Sequence, residues 1–427
     1  MTMDPPGALL EDHVVAVDNG RIEAVLPAAE AGERFEPGRR IDRPGHVLIP
    51  GLINAHTHNA MTLFRGFGDD LPLETWLKTR IWPAERQWAG PEFVRDGTAL
   101  AIVEMLRSGT TCFSDQYFFP EVVAGTAVDM QIRAVVATPV LDFPTNWAAS
   151  AQEYLEKAAD LVHDPYAGHP LVSTAYAPHS TYALDDDAFR ALRVTADQLD
   201  VPVQIHLHET AREVADAVAD TGMRPIERLR QLGLVNRSLL AVHGVHVAGH
   251  EIELMAEAGV AVAHCPRSNL KLASGIAPVV ALRDAGVTVA VGTDGPASNN
   301  VIDMLKELET AALVAKVASG DAAALTATDA LAMATIDSAR ALGIADDTGS
   351  ITPGKWADLV TIDLTEPNSQ PVYDPVSQVV YTAGSDQVAD VWTAGRQRVE
   401  HGELLDIDVA SILSRANEWQ RKIAAGI

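Results

Sequence analysis

Histidines and carboxylates gather at five places where an apolar run of the chain gives out. They are His56-Thr57-His58, closing the run from Pro50; His179, in Ala177-Pro178-His179; His206-Leu207-His208-Glu209; His243, with His246 three residues on; and Asp294, in Gly292-Thr293-Asp294-Gly295. Side chains two apart on a strand face the same way, so His56 and His58 can reach one point. A zinc site that keeps a place open for water needs about three N or O ligands from the protein. The chain supplies them, with a carboxylate to spare for proton transfer. Spacing alone does not choose between His206 and His208, or between His243 and His246. Taken singly the groups say little, since a lone buried histidine usually serves the core and an Asp before Gly usually makes a turn. Spread over five strand ends of one fold, they point to metal-dependent hydrolysis.

The elements that must carry these groups follow a rhythm. Apolar stretches rich in Val, Ile, Ala and Leu run over 47–58, 110–115, 133–141, 171–179, 201–208, 239–246, 259–265 and 287–294. They show little strict alternation, as expected of strands buried on both faces. Helix-like segments such as 90–107, 186–199 and 250–258 lie between them. Eight strands alternating with helices predict an α/β fold, a (β/α)8 TIM barrel, with its active site at the C-terminal ends of the strands. An open doubly wound sheet would carry a glycine-rich phosphate loop after its first strand, and the chain has none. The flanks, 13–46 and 350–403, read as short strands and turns. They are expected to form one small β-sandwich-like domain from both chain ends. The division expected is 1–46 and 350–405 for that domain, 47–349 for the barrel and 406–427 for a closing helix. In that helix Ile412, Leu413, Ala416, Trp419 and Ile423 recur near the helical period.

Composition narrows the partners. With 427 residues, 47% of them hydrophobic, the chain has ample material for a barrel core. The formal net charge of −26 repels nucleic acid and anionic membrane and favours a neutral or cationic small molecule. Such a charge is read as an acidic solvated surface rather than as the mark of a salt-rich habitat. No apolar run reaches the length of a membrane span, and the start lacks the pattern of a signal peptide. Cys112 and Cys265 lie in apolar runs and read as buried free thiols, so the cytoplasm is the expected compartment. The zinc deaminase design built on Pro-Cys-x-x-Cys is excluded, because the chain has no Cys-x-x-Cys.

Longer stretches carry a specific resemblance. PGLINAHTHNAMTLFRGFGDD from Pro50, IWPAE from Ile81, APHSTY from Ala177, IHLHET from Ile205, AVHGVH from Ala241, HCPRSNLKLASG from His264 and GTDGPASNN from Gly292 are similar to the amidohydrolase superfamily. Within it they resemble the branch of 5′-methylthioadenosine/S-adenosylhomocysteine deaminases. The resemblance implies one metal ion held by His56, His58, His206 and Asp294. The fourth strand has no lysine to carry a second metal. Zinc suits such ligands best, with Fe(II) the second candidate. It further implies Glu209 as the catalytic acid/base, His243 as the catalytic histidine and Asp294 as a proton acceptor, with His208 and His246 in support. Glu85 and His179 match substrate contacts, Glu85 at the ribose hydroxyls.

The implied reaction is hydrolytic deamination at C6 of an adenine nucleoside. The segment Ala137–Trp147 has no Lys or Arg to hold a tail carboxylate, while Leu141, Phe143 and Trp147 would suit a methylthio group. Hence 5′-methylthioadenosine is expected to be preferred over S-adenosylhomocysteine and adenosine. The rival reading is a guanine or other ring deaminase, or a triazine-type chlorohydrolase, of the same superfamily. Glu85 argues against it, since a ribose-holding carboxylate is of no use to a bare ring. Family members usually have another strand ahead of the start, so a mis-assigned start codon is also expected. A homo-oligomer is expected by the same resemblance.

Overall fold

The structure is a computed structural model that describes residues 1–426. Eight parallel strands make one sheet in chain order: Leu52–Thr57, Thr110–Asp115, Arg133–Val140, Val172–Pro178, Val203–Leu207, Leu239–His243, Ala261–His264 and Thr288–Val291. Almost every position of these strands is buried, which explains why their sequences run apolar without alternation. Ile53, Val135, Ala137, Leu240, Val242, Ala263 and Ala290 belong to one apolar cluster, joined by Leu342 and Ile344. Intervening residues such as Val136, Ile205, Ala241 and Val289 pack instead into the larger cluster shared with the helices. Seven of the eight strands therefore feed two cores, while Val203–Leu207 gives its apolar residues to the larger one alone.

The first and last strands meet without a regular ladder. Asn54 closes the gap with its side chain, donating to Thr293 Oγ1 at 2.8 Å and accepting the Thr293 N–H at 3.0 Å. The Asp294 N–H donates to the His56 carbonyl at 3.0 Å. Gly292 permits this approach, for a β-carbon there would lie 2.7 Å from the His56 nitrogen. The pairing of the first strand with the second also shifts register between Asn54 and Thr57, a bulge where the ligand residues begin.

The single strand expected over 47–58 is two elements. His46–Pro50 pairs antiparallel with Leu359–Asp363 and belongs to a five-stranded sheet completed by 388–393, 396–400 and 403–404. Only Leu52–Thr57 enters the barrel, so the small sheet takes residues the sequence assigned to the barrel. The break falls at Gly51, where a β-carbon would strike Thr111 Oγ1. His13–Asp18 and Arg21–Pro27 form a separate hairpin, followed by a short helix Ala28–Arg34.

Arg133 at the start of the third strand ties barrel to sheet. Its Nε donates to Asp358 Oδ2 at 2.8 Å and its Nη1 to the Pro170 carbonyl at 2.7 Å. Thr348 Oγ1 and the Ala394 N–H also donate to Asp358. The last helix, Val409–Ala425, buries Ile412, Trp419 and Ile423. Leu413, expected on that face, is half exposed instead. Trp419 Nε1 and Arg415 Nε both donate to Asp96, at 3.0 and 2.9 Å. No helix among the described residues is long and apolar enough to cross a membrane.

Candidate metal centre

One ligand atom each from His56, His58, His206 and Asp294 lies within 4.8 Å of all the others. His206 Nε2 is 3.2 Å from His56 Nε2. Asp294 Oδ1 is 3.3 Å from His58 Nε2 and 3.6 Å from His56 Nε2. The three Nε2 atoms converge because every Nδ1 is engaged behind them. His58 Nδ1 donates to the Gln116 carbonyl at 2.6 Å, and His206 Nδ1 donates to the His179 carbonyl at 2.6 Å. His56 Nδ1 meets the Gln204 amide at 2.9 Å, and that amide meets Ser114 Oγ at 3.0 Å. With Nε2 turned to a metal, Nδ1 keeps its proton. The amide then presents oxygen to His56 and NH2 to Ser114.

Electrostatics favours the same use for His56 and His206. Burial lowers the His56 pKa to about 3 and holds that of His206 well below its ordinary value. Both rings keep a free lone pair at neutral pH. Burial also opposes charge on His58, but the bond and charge of Asp294 and the Gln116 carbonyl outweigh it and raise this ring to about 9. Burial alone would raise Asp294; bonds from His56 and His58 overcome it and hold the carboxylate well below the usual range. Its second oxygen accepts from Ser268 Oγ at 2.5 Å and Ser298 Oγ at 2.7 Å, leaving Oδ1 to face the histidines. Three imidazole nitrogens and one carboxylate oxygen around one point form a donor set that fits zinc with a position left open.

Two further groups stand beside this point. His243 closes the sixth strand at φ +75, with Nδ1 2.9 Å from Asn269 Oδ1 and Nε2 3.8 Å from Glu209 Oε2. Burial raises the Glu209 pKa, with His243 pulling the other way. His208 points away from this cluster: its Nε2 accepts the Ile226 N–H at 3.2 Å and its Nδ1 faces the His246 carbonyl. His246 in turn bonds the Ser274 carbonyl at 2.7 Å. So tertiary partners separate His206 from His208 and His243 from His246.

Glu85 lies in the helix Trp82–Trp88, near Tyr117 and His58. Burial raises its pKa to about 7 against both neighbours. The His179 ring is 4.7 Å from that of His206, and burial lowers its pKa to about 4. One expectation fails here. Trp147 is buried against Tyr154 and donates its indole N–H to Glu121 at 3.1 Å, so it is committed to packing rather than to a ligand. Phe143 is half exposed and Leu141 buried. A cavity of about 770 Å³ opens elsewhere, at the starts of the strands beside Arg133 and Trp356, and holds none of these groups.

Reasoning from the sequence passed over Gln204, Ser268, Ser298 and Asn269, which orient the ligands and His243. The SNLKLASG stretch covered Ser268 and Asn269 and GTDGPASNN covered Ser298, but neither gave them a role. The carbonyls of Gln116 and His179 left no signal, because any residue supplies a carbonyl.

The sequence profile of the Amidohydrolase family matches residues 47–398. The chain belongs to that family, a metal-centred barrel hydrolase by fold and by site. Among its relatives are 5-methylthioadenosine/S-adenosylhomocysteine deaminases. The one from Teredinibacter turnerae is 47% identical over 99% of this chain and 95% of its own length; that from Saccharophagus degradans is 42% identical over 99% and 94%. The crystal structure of an adenosine deaminase from Xanthomonas campestris with bound zinc superposes with a TM-score of 0.98. It is 52% identical, covering 100% of this chain and 97% of that one. Atrazine chlorohydrolase TrzN from Arthrobacter aurescens, complexed with zinc, follows at a TM-score of 0.92 and 26% identity, covering 98% and 97%.

Proposed function

We propose that this protein is a zinc-dependent deaminase that hydrolyses the 6-amino group of 5′-methylthioadenosine, with S-adenosylhomocysteine and adenosine as weaker substrates. The observation that carries the reading is a raised carboxyl, Glu209, set 3.8 Å from His243 beside the four metal-binding side chains, with Glu85 close to His58. The relatives named for this reaction support it.

His56, His58, His206 and Asp294 would hold the ion. Bound zinc supplies a Lewis acid that brings the acidity of water from a pKa of about 16 towards about 7. Asp294, kept ionised, accepts the proton of the attacking water. Its second oxygen stays fixed by Ser268 and Ser298, so the accepting oxygen keeps its aim. Glu209, whose pKa burial raises, donates in its protonated form to ring N1 and makes C6 electrophilic. His243, oriented by Asn269, bonds the oxygen arriving at C6. The proton on Asp294 then passes to the amine, the C6–N bond breaks as the C6 hydroxyl returns its proton to Glu209, and ammonia leaves an inosine-type product. Each proton transfer contributes about 10²–10⁴-fold. Glu85 binds the ribose hydroxyls and His179 the nucleoside beside them.

The ranking of substrates rests on the loop after the third strand. It carries no cation between Ala137 and Trp147 to fix a tail carboxylate, although Trp147 no longer counts toward an apolar tail site. The same reading places the enzyme in the cytoplasm, with Cys112 and Cys265 as buried free thiols, and makes it a homo-oligomer, which sedimentation of the purified protein checks. The test of function is the loss of adenine absorbance when zinc-loaded protein meets the three nucleosides in parallel. 5′-Methylthioadenosine should be turned over fastest. Comparable turnover of S-adenosylhomocysteine at low concentration would sink the ranking. No conversion of any of the three by metal-loaded protein would sink the reaction and turn attention to guanine and triazines.

A further inference from the structure

Glu209 stands on a turn that the chain would not adopt unaided. His208, the residue before it, sits at φ +56, in the left-handed region that side chains with a β-carbon disfavour. The helix Ala211–Thr221 starts directly behind the turn, and its cap residue Thr210 accepts the Glu213 N–H at 3.1 Å. A glutamate third in a helix ordinarily bends back to the N–H of the cap residue. The Glu213 carboxylate reaches further. Oε2 accepts the Glu209 N–H at 2.7 Å and Oε1 accepts the His208 N–H at 3.1 Å. One side chain thus grips both amides of the dipeptide that carries the acid. The His208 ring braces the opposite face of the turn through Ile226 and His246, but among these groups only Glu213 bonds the backbone of Glu209 itself.

We propose that Glu213 is the positioning residue that aims Glu209, holding its carboxyl within reach of His243 and the substrate ring through the two backbone amides. The role given to Glu209 rests on the deaminase reading above; the grip on the turn does not. Glu213 takes no part in the chemistry, so its loss should act on turnover and leave metal and substrate binding alone.

Three variants of the full-length, zinc-loaded protein separate this from a merely structural part. Glu213→Ala should lower kcat for 5′-methylthioadenosine by about 100-fold, the scale of a misplacement near 1 Å, with KM and zinc content unchanged. Glu213→Gln should lie between, since its amide oxygen can still accept one N–H while its NH2 opposes the other. Thr210→Ala weakens the same helix start without touching either amide, and should keep kcat close to wild type. Hydrogen exchange gives a readout free of any substrate: the His208 and Glu209 amides should exchange faster in Glu213→Ala and Glu213→Gln but not in Thr210→Ala. If Glu213→Ala does not fold, Glu213→Gln carries the test on both readouts. Equal kcat losses in the alanine variants, a loss confined to KM or zinc, or unchanged exchange at the two amides would each overturn the proposal. A wild-type protein inactive on every adenosine would instead overturn the deaminase reading, and the exchange data would still decide this one.

Discussion

The two ends of the barrel bury charged side chains in opposite ways. At the strand starts, the Arg133 guanidinium meets Asp358 through two nitrogens and gives a further donor to a carbonyl. Asp358 is satisfied in turn by Thr348 and Ala394. Every charge there is cancelled, and the result is a clamp between barrel and small sheet. At the strand ends, His58 and Asp294 pair, but the other groups are oriented without being cancelled. The three ligand histidines are each held from behind while their Nε2 atoms crowd one another. Burial raises the pKa of Glu209 and lifts that of Glu85 to about 7. A buried pair that is fully matched contributes rigidity, whereas buried groups matched on one side only keep a reactive face.

The largest test of that contrast is to remove a ligand. His206→Ala should abolish zinc retention, read by metal analysis, and lower deamination by more than about 10⁴-fold, since both the Lewis acid and its aim go together. Glu209→Gln should keep the metal and the melting temperature while lowering kcat by about 10³-fold, because it removes the acid without touching a ligand. At the other end the effect should invert. Asp358→Ala leaves a buried guanidinium unpaired and should destabilise the fold by about 3–5 kcal/mol, measured by urea unfolding, with kcat per folded molecule unchanged. A fall in kcat there would mean that the two ends are coupled and the contrast is wrong.

The smallest test concerns His163, which lines the cavity at the strand starts and bonds Thr174 Oγ1 at 2.6 Å. Burial lowers its pKa from 6.5 to about 4. The unfolded chain therefore binds this proton more readily than the folded one. Stability should be complete above about pH 6.5 and fall as the pH drops from 6.5 towards 4, by up to about 3 kcal/mol. His163→Gln should flatten that slope in urea midpoints measured across the window.

Sequence made the ligand set legible because the metal needs side chains, and side chains are what a sequence records. The same was true of the helix Asp186–Leu199, whose bounds match those read from the sequence. What stayed hidden depends on partners distant along the chain. His206 and His208 are alike in spacing, and only Ile226, Arg224 and His246, brought up from elsewhere, take His208 out of the site. Trp147 looked like a ligand-facing aromatic until Glu121 claimed its indole. Gly51 ended a strand that read as continuous, because the close approach that breaks it belongs to Thr111, sixty residues on. The choice between those histidines came from resemblance, and the physical reason for it came from the fold.

The joint between the first and eighth strands has one more consequence. His56 and His58 stand on one lip of it and Asp294 on the other, with side-chain bonds from Asn54 and Thr57 and the Asp294 amide stitching the gap. An ion shared by those ligands would work as a rivet across a line of the shell that has no regular ladder. Stripped of zinc, the shell should breathe along that line first. The protein would then lose its circumference before it loses its layers.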